Sequence, residues 1–334
     1  MKFNKHKWKK FALAFLAVAC VGMTSACAFA KPKQAPPMKP QNSAWAVYWD
    51  WQRGMEQVAV GEGQACVAFA AAFNEQGKLQ LPKEFTRESL DALREQAGGK
   101  NIYLSIVNDK QEKDSKILLK DTAVLKKILA KKSQRSKHIT EIVELAKENG
   151  FAGVELDYEN IWQDEKLVKD FALLVEELKP VTREVGMKLR VVLEPKTLAY
   201  AEKLPADTEY VVMFYNLYGL HSGPGPKANK KFILRTLTQV EKLKGTPNIA
   251  FANGGFDWSD GGKTVGITTA QAKCLAQKYN ASISRVAESH ALRFTYVENG
   301  IEHTVWYGDA VTIAYWRSVV EEYGYKRFSL WRLE

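Results

Sequence analysis

The chain has 334 residues, 46% of them hydrophobic, and its 48 basic and 38 acidic side chains give a formal net charge of +10. This is enough apolar sequence for one large α/β domain or two smaller ones, and it excludes a largely disordered chain. The basic residues form no clustered Arg/Lys stripe, which argues against nucleic acid as a partner, and no Cys/His spacing resembles a metal site.

Met1 to Lys10 carries five lysines and no acid, and an apolar run from Phe11 to Phe29 follows and ends in Ala28-Phe29-Ala30. This pattern predicts a signal peptide over residues 1–30, cleaved after Ala30, and hence a secreted or cell-envelope protein with no membrane span in its mature form. A lipoprotein anchored through Cys27 is the alternative, because Thr24-Ser25-Ala26-Cys27 loosely resembles a lipobox, with Thr24 where an aliphatic residue is usual. Removing the segment leaves a net charge of +5, which suits work near an anionic cell-surface polymer. Cys66 and Cys274 remain, each in an apolar pattern, and are read as buried free thiols, with a disulfide between them as the alternative. Residues 31–42, rich in Pro, Lys and Gln, read as an extended tether.

From Ala44 onward strand and helix patterns alternate. Strands are predicted at Ala44–Asp50, Ala65–Phe73, Asn101–Val107, Ala152–Glu159, Lys188–Leu193, Tyr210–Tyr215, Asn248–Asn253 and Arg327–Trp331. Helical periodicity falls between them, at about Arg87–Gln96, Asp121–Lys132, Gln134–Glu148, Asp164–Val185, Thr197–Lys203, Asn229–Leu243 and Asp309–Tyr323. Eight strands alternating with helices predict an α/β fold, a (β/α)8 TIM barrel over residues 43–334. An open doubly wound sheet is the alternative, but its Gly-rich phosphate turn after strand one is missing. Between strands seven and eight a small α+β insertion is expected at about residues 262–308, with a helix near Thr269–Lys278, the run Ala281–Val286, and a hairpin over Leu292–Tyr307 turning at Asn299-Gly300. Only three residues follow Trp331, so no full eighth helix is expected, and the tether or a neighbouring helix must cover strand eight.

The fourth strand carries the chemistry. In Phe151-Ala152-Gly153-Val154-Glu155-Leu156-Asp157-Tyr158-Glu159, alternation puts Glu155, Asp157 and Glu159 on one face and Val154, Leu156 and Tyr158 on the other. A half-exposed antiparallel strand would alternate in the same way. The helix-strand-helix order here argues instead for a parallel strand whose acidic row points into a barrel or cleft. Three carboxylates are tolerated there only at a water-accessible mouth, and crowding should raise at least one pKa.

With those residues in place, the chain resembles the family 18 glycoside hydrolases, whose signature is D-G-x-D-x-D-x-E. Residues 152–159 stand for that signature, Val211-Val212-Met213-Phe214-Tyr215-Asn216 for the strand-six M-x-Y-D motif, and Trp331 for the strand-eight tryptophan. Within the family it is most similar to the bacterial spore cortex-lytic and cell-wall N-acetylglucosaminidases, through Gly255-Phe256-Asp257-Trp258, His303-Thr304-Val305-Trp306 and Phe328-Ser329-Leu330-Trp331-Arg332-Leu333.

The resemblance implies an exported glycosidase acting on β-linked, N-acetylglucosamine-containing glycan, without a cofactor or metal and as a monomer. It implies that Glu159 is the general acid, that Asp157 orients the substrate's own acetamido group as the nucleophile, and that Tyr215 holds the acetamido oxygen. It implies further that Trp331 floors the sugar, and that Tyr48, Asp50, Glu155, Met213, Asn216, Asp257 and Trp258 bind substrate. Three positions depart from the family pattern. Ala152 replaces the first aspartate. Glu155 replaces Asp or Asn, so that it is expected to share a proton with Asp157. Asn216 replaces an aspartate. The competing reading is a catalytically inactive barrel lectin for N-acetylated glycans; loss of the acid is the usual mark of such lectins, and Glu159 is retained.

Overall fold

Strand pairing closes into a ring in the computed structural model, which describes residues 31–35, 39, 41–60, 65–113 and 116–334. The expected signal peptide and its Cys27 alternative lie outside the described residues, as do residues 36–38 and 40 of the expected tether. The ring is built from β1 (Gln41–Val47), β2 (Ala65–Phe73), β3 (Asn101–Gln111), β4 (Gly153–Asp157), β5 (Lys188–Leu193), β6 (Glu209–Met213), β7 (Thr246–Ala252) and β8 (Arg327–Trp331). Each strand runs parallel to its neighbours, and β8 pairs with β1 from Gln41↔Arg327 to Ala44↔Leu330, which closes the (β/α)8 barrel. All eight predicted strands are present, with shifted ends. β1 begins inside the predicted tether, β3 runs four residues further than expected, and β4 stops at Asp157, two residues short of Glu159.

Helices cover the outer face, as the near-continuous apolar strands require. Helix Glu165–Glu184 starts where Asp164 accepts hydrogen bonds from the backbone amides of Lys166 and Leu167, and it buries Leu167, Phe171, Leu174 and Leu178 against the barrel. Helix Trp51–Val60 was not expected; its apolar residues are interrupted by Gln, Arg, Gly and Glu, which weakens the periodic signal. Among the described residues no helix follows β8. Helix Ala310–Glu321, which precedes it, covers it instead, with the Arg317 guanidinium 4.3 Å from the Phe328 ring centre. Chain from the tether lies at the end of that helix, where Ala35 N donates to Tyr323 O at 2.7 Å.

The inserted unit is a five-stranded antiparallel sheet in the order Thr264–Ile267, Gly254–Ser259, Ile301–Gly308, Leu292–Glu298, Ser284–Arg285. It therefore starts at Gly254, ahead of the expected boundary near 262, and only Ser284–Arg285 of the expected run 281–286 is strand. Asn299 (φ 53°) and Gly300 (φ 78°) make the tight turn between Glu298 and Ile301. Helix Thr269–Lys278 packs Ala272 and Ala276 on this sheet and turns Cys274 outward. Cys66 and Cys274 are both unpaired. Cys66 is buried, and burial pushes its thiol up to about 12, whereas Cys274 is exposed rather than buried as the sequence suggested.

The floor of the barrel is a polar layer. Arg190 on β5, 1% exposed, meets Glu155 on β4, 0% exposed, at 3.0 Å, and it donates to Ser43 and Ser329 at 3.0 Å each. Trp45 Nε1 donates to Glu155 Oε1 at 2.6 Å, and Glu209 and Asn248 extend the network to β6 and β7. Below this layer Gly153 faces inward, where a Cβ would lie 2.4 Å from Lys188 O and 2.8 Å from the Tyr103 ring, so no larger side chain fits. Because removing one partner of a buried ion pair strands the other, Glu155→Ala is expected to lower stability by roughly 3–5 kcal/mol in urea unfolding. A change below about 1 kcal/mol would mean that Arg190 is satisfied by the serines and Glu209 alone.

Candidate active site

Asp157 closes β4 and Glu159 follows it at the C-terminal mouth, the end of such barrels where functional residues gather. Glu159 is held through its backbone. Asn108 on β3, 1% exposed, accepts from Glu159 N at 2.8 Å and donates from Nδ2 to Glu159 O at 3.1 Å. The next residue, Asn160, adopts the left-handed region (φ 61°) that Asn tolerates, and its N–H donates to Glu194 Oε2 at 2.5 Å. The chain is thus turned at the mouth with the Glu159 side chain 17% exposed, although Glu159 is not part of the strand.

Lys120 faces it. The chain beyond β3 folds back through Ile117–Leu118, which pairs with Lys110 and Gln111. Lys120 (φ 55°) donates its backbone N–H to Asp109 Oδ1 at 2.8 Å and its ammonium to Glu159 Oε2 at 2.5 Å. Burial raises the pKa of Glu159 to about 7 against the pull of Lys120, and Glu194 and Asp109 add to the rise. Asp157, 5% exposed, is held well above the usual carboxylate range by burial and then by the negative charges of Glu159 and Glu155. Burial and the same carboxylates keep the Tyr215 hydroxyl protonated well above its ordinary range. Asp157 Oδ1 is buried and has no hydrogen-bond partner among the described residues.

Asp157, Glu159, Tyr215 and Trp331 line one cavity of about 340 Å³, together with Tyr48, Met213 and Asn216. Trp331 packs edge-on against Phe69 (4.8 Å between ring centres) and Trp45 (5.8 Å), so its position is fixed by other aromatics. Asn216 Nδ2 donates to Met213 Sδ at 3.2 Å. Four predicted site residues lie elsewhere. Glu155 is one pleat below Asp157, where it pairs with Arg190, and it is a floor residue rather than part of the cavity lining. Asp50 pairs with Arg332 at 3.1 Å, outside the cavity lining. Asp257 points to the far side of the inserted sheet, where it accepts from Tyr296 OH at 2.6 Å and meets His303 Nδ1 at 2.9 Å. Trp258 is buried with Nε1 donating to Ser222 O at 3.0 Å.

Asn108, Lys120 and Glu194 were not anticipated. Asn108 follows directly on the predicted end of strand three and Glu194 on the end of β5, positions that barrel topology alone could have flagged. For Lys120 no such signal exists. Among the described residues no group of three or more His, Cys, Asp or Glu is placed to hold a metal ion, and no helix is long and apolar enough to cross a membrane.

Residues 44–334 match the model of glycosyl hydrolases family 18. The cortical fragment-lytic enzyme of Bacillus subtilis (strain 168) is 26% identical over 243 residues, 65% of this chain and 52% of that protein, so the chain spans about half the length of the curated relatives it matches. The Bacillus cereus spore cortex-lytic enzyme SleL superposes with a TM-score of 0.71 at 19% identity, covering 90% of this chain and 72% of that one. A chitinase from Chromobacterium violaceum superposes with a TM-score of 0.73 at 19% identity, covering 88% and 94%. At such identities the superpositions establish the barrel, and the family model, matched from β1 to the last residue, establishes the lineage. The chain belongs to family 18 of the glycosyl hydrolases.

Proposed function

We propose that the protein is an exported, monomeric glycosidase that cleaves β-linked N-acetylglucosamine-containing glycan, peptidoglycan or a chitin-like polymer, with retention of configuration. The observation that carries this reading is the buried, unpartnered Oδ1 of Asp157 in a cavity that also holds a protonated Tyr215 and a carboxyl poised near neutral pH. An unsatisfied buried carboxylate oxygen is costly unless a ligand donor meets it, and the N–H of a 2-acetamido group is such a donor. With that N–H on Asp157 and the acetamido oxygen steadied by the Tyr215 hydroxyl, the oxygen is turned towards the anomeric carbon. Glu159 gives its proton to the departing glycosidic oxygen as the acetamido oxygen attacks, and then takes a proton from the water that opens the cyclic intermediate. Trp331 offers an aromatic face to the sugar. Export rests on the charged and apolar N-terminal segment, and the peptidoglycan reading draws on the relatives named for lysis of spore cortex and cortical fragments.

The test is release of reducing ends from purified peptidoglycan and from chito-oligosaccharides. Hydrolysis of either supports the reading, and tight binding without cleavage would leave a barrel lectin in its place. Because Glu159 must be protonated to act and is held near 7 in the free protein, kcat/KM is expected to fall as the pH rises through about 7. A profile flat to pH 9 would mean that another group supplies the proton.

A further inference from the structure

Beside the small cavity lies a larger one, about 770 Å³, which shares Lys120, Tyr215, Asn216 and Trp331 with it. Its wall comes from the ends of β4, β5 and β6 and from helix Lys230–Val240, and its charge is one-sided. Lys120, Lys196, Lys227 and Arg235 line it, against the single carboxylate of Glu194. Lys196 lies 4.3 Å from the Trp162 ring centre, which fixes its ammonium over an aromatic face at the rim. Lys227 is held by Asn253 O at 2.7 Å; burial lowers it to about 8, so it is still mostly charged at neutral pH. A neutral glycan gives such a wall nothing to neutralise.

We infer that this cavity receives the sugar on the leaving-group side of the scissile bond, that the sugar it selects is an amino sugar bearing a free carboxylate, and that Lys120 exchanges Glu159 for that carboxylate. This rests on the proposed glycosidase reading. The side follows from the shared residue. The small cavity contains Asp157 and so takes the sugar being cleaved, Glu159 protonates the bond leaving it, and Lys120, bound to Glu159, faces across into the larger cavity. The class of ligand follows from charge and from the conflict that Lys120 creates. A carboxylate tied to an ammonium is a poor proton donor, and the groups facing this pair are Asp109, Asp157, Glu194 and Tyr215, none of which removes the ammonium. A substrate carboxylate arriving in the cationic cavity is an alternative partner for Lys120. Once the ammonium turns to it, burial and the neighbouring acids favour protonated Glu159, so the acid is armed by the substrate that the cavity selects. A glycan whose leaving sugar carries a 3-O-lactyl group, with no peptide attached, supplies such a carboxylate.

The test uses a peptide-free tetrasaccharide of alternating N-acetylglucosamine and N-acetylmuramic acid and the same molecule with its carboxylates methyl-esterified. A charge-assisted hydrogen bond implies that the wild type cleaves the acid with kcat/KM about tenfold above the ester. Lys120→Gln should reduce this preference to about twofold or less and move the high-pH limb on the ester upward, since the charge that favours ionised Glu159 is gone, whereas Lys120→Arg should retain a preference for the acid. Equal wild-type rates on acid and ester, or a preference that survives in a folded Lys120→Gln, would overturn the inference. Calorimetry with Glu159→Gln separates it from the reading it rests on. Tighter binding of the acid than of the ester, lost in Glu159→Gln/Lys120→Gln, supports the anion subsite even if the wild type cuts neither these molecules nor chito-oligosaccharides, an outcome that would remove the glycosidase reading alone.

Discussion

Glu159→Gln is expected to lower turnover of an unactivated N-acetylated oligosaccharide by at least about a hundredfold while leaving its binding within a few-fold of wild type. The substitution removes the transferable proton and little else. The backbone of residue 159 stays clamped by Asn108, and an amide oxygen can still accept from Lys120, so the side chain keeps its place at the mouth. The fold should not suffer, because burial opposes the Glu159 charge and the amide has none. Turnover with single-turnover kinetics, beside a binding isotherm, separates the two effects. Full activity would shift the acid's role to another carboxyl of the rim, Glu194 or Asp109.

The barrel was legible because eight strand patterns are interleaved with helical ones, and alternation along residues 152–159 placed three carboxylates on one face. Alternation gives the face and not the depth. Glu155, two residues before Asp157, descends to the level where Arg190 and Trp45 meet it, and so becomes structure. Glu159 stays at the mouth through Asn108 and the left-handed Asn160, although the strand ends before it. The same parity argument divides residues 256–258. Phe256 reaches the larger cavity and Asp257, on the opposite face of its strand, meets Tyr296 and His303. Lys120 was invisible because its place depends on a two-residue strand folding back on β3, a pairing too short to leave a periodic trace. Cys274 was misread because a helix over small alanines can turn any of its remaining positions outward.

Asp157→Asn is expected to impair hydrolysis severely, since an amide stabilises the developing positive charge on an acetamido nitrogen less well than a carboxylate does, and removing such a group commonly costs about a hundredfold or more in rate. The loss should appear in kcat more than in affinity, because the charge exists only as the acetamido oxygen attacks. The same dependence can be read from the substrate. If the nucleophile is the acetamido oxygen, held by Asp157 and Tyr215, then its removal forfeits the orientation that makes the attack intramolecular, a contribution of several kcal/mol. The decisive measurement is therefore hydrolysis of matched N-acetylated and deacetylated oligosaccharides, with the product anomer followed by NMR from the first turnovers. The expected result is a large loss of rate on the deacetylated substrate and retention of the β configuration on the acetylated one. Equal rates on both substrates, or an inverted product, would contradict a nucleophile supplied by the substrate and would leave Asp157 and Tyr215 without the roles assigned to them.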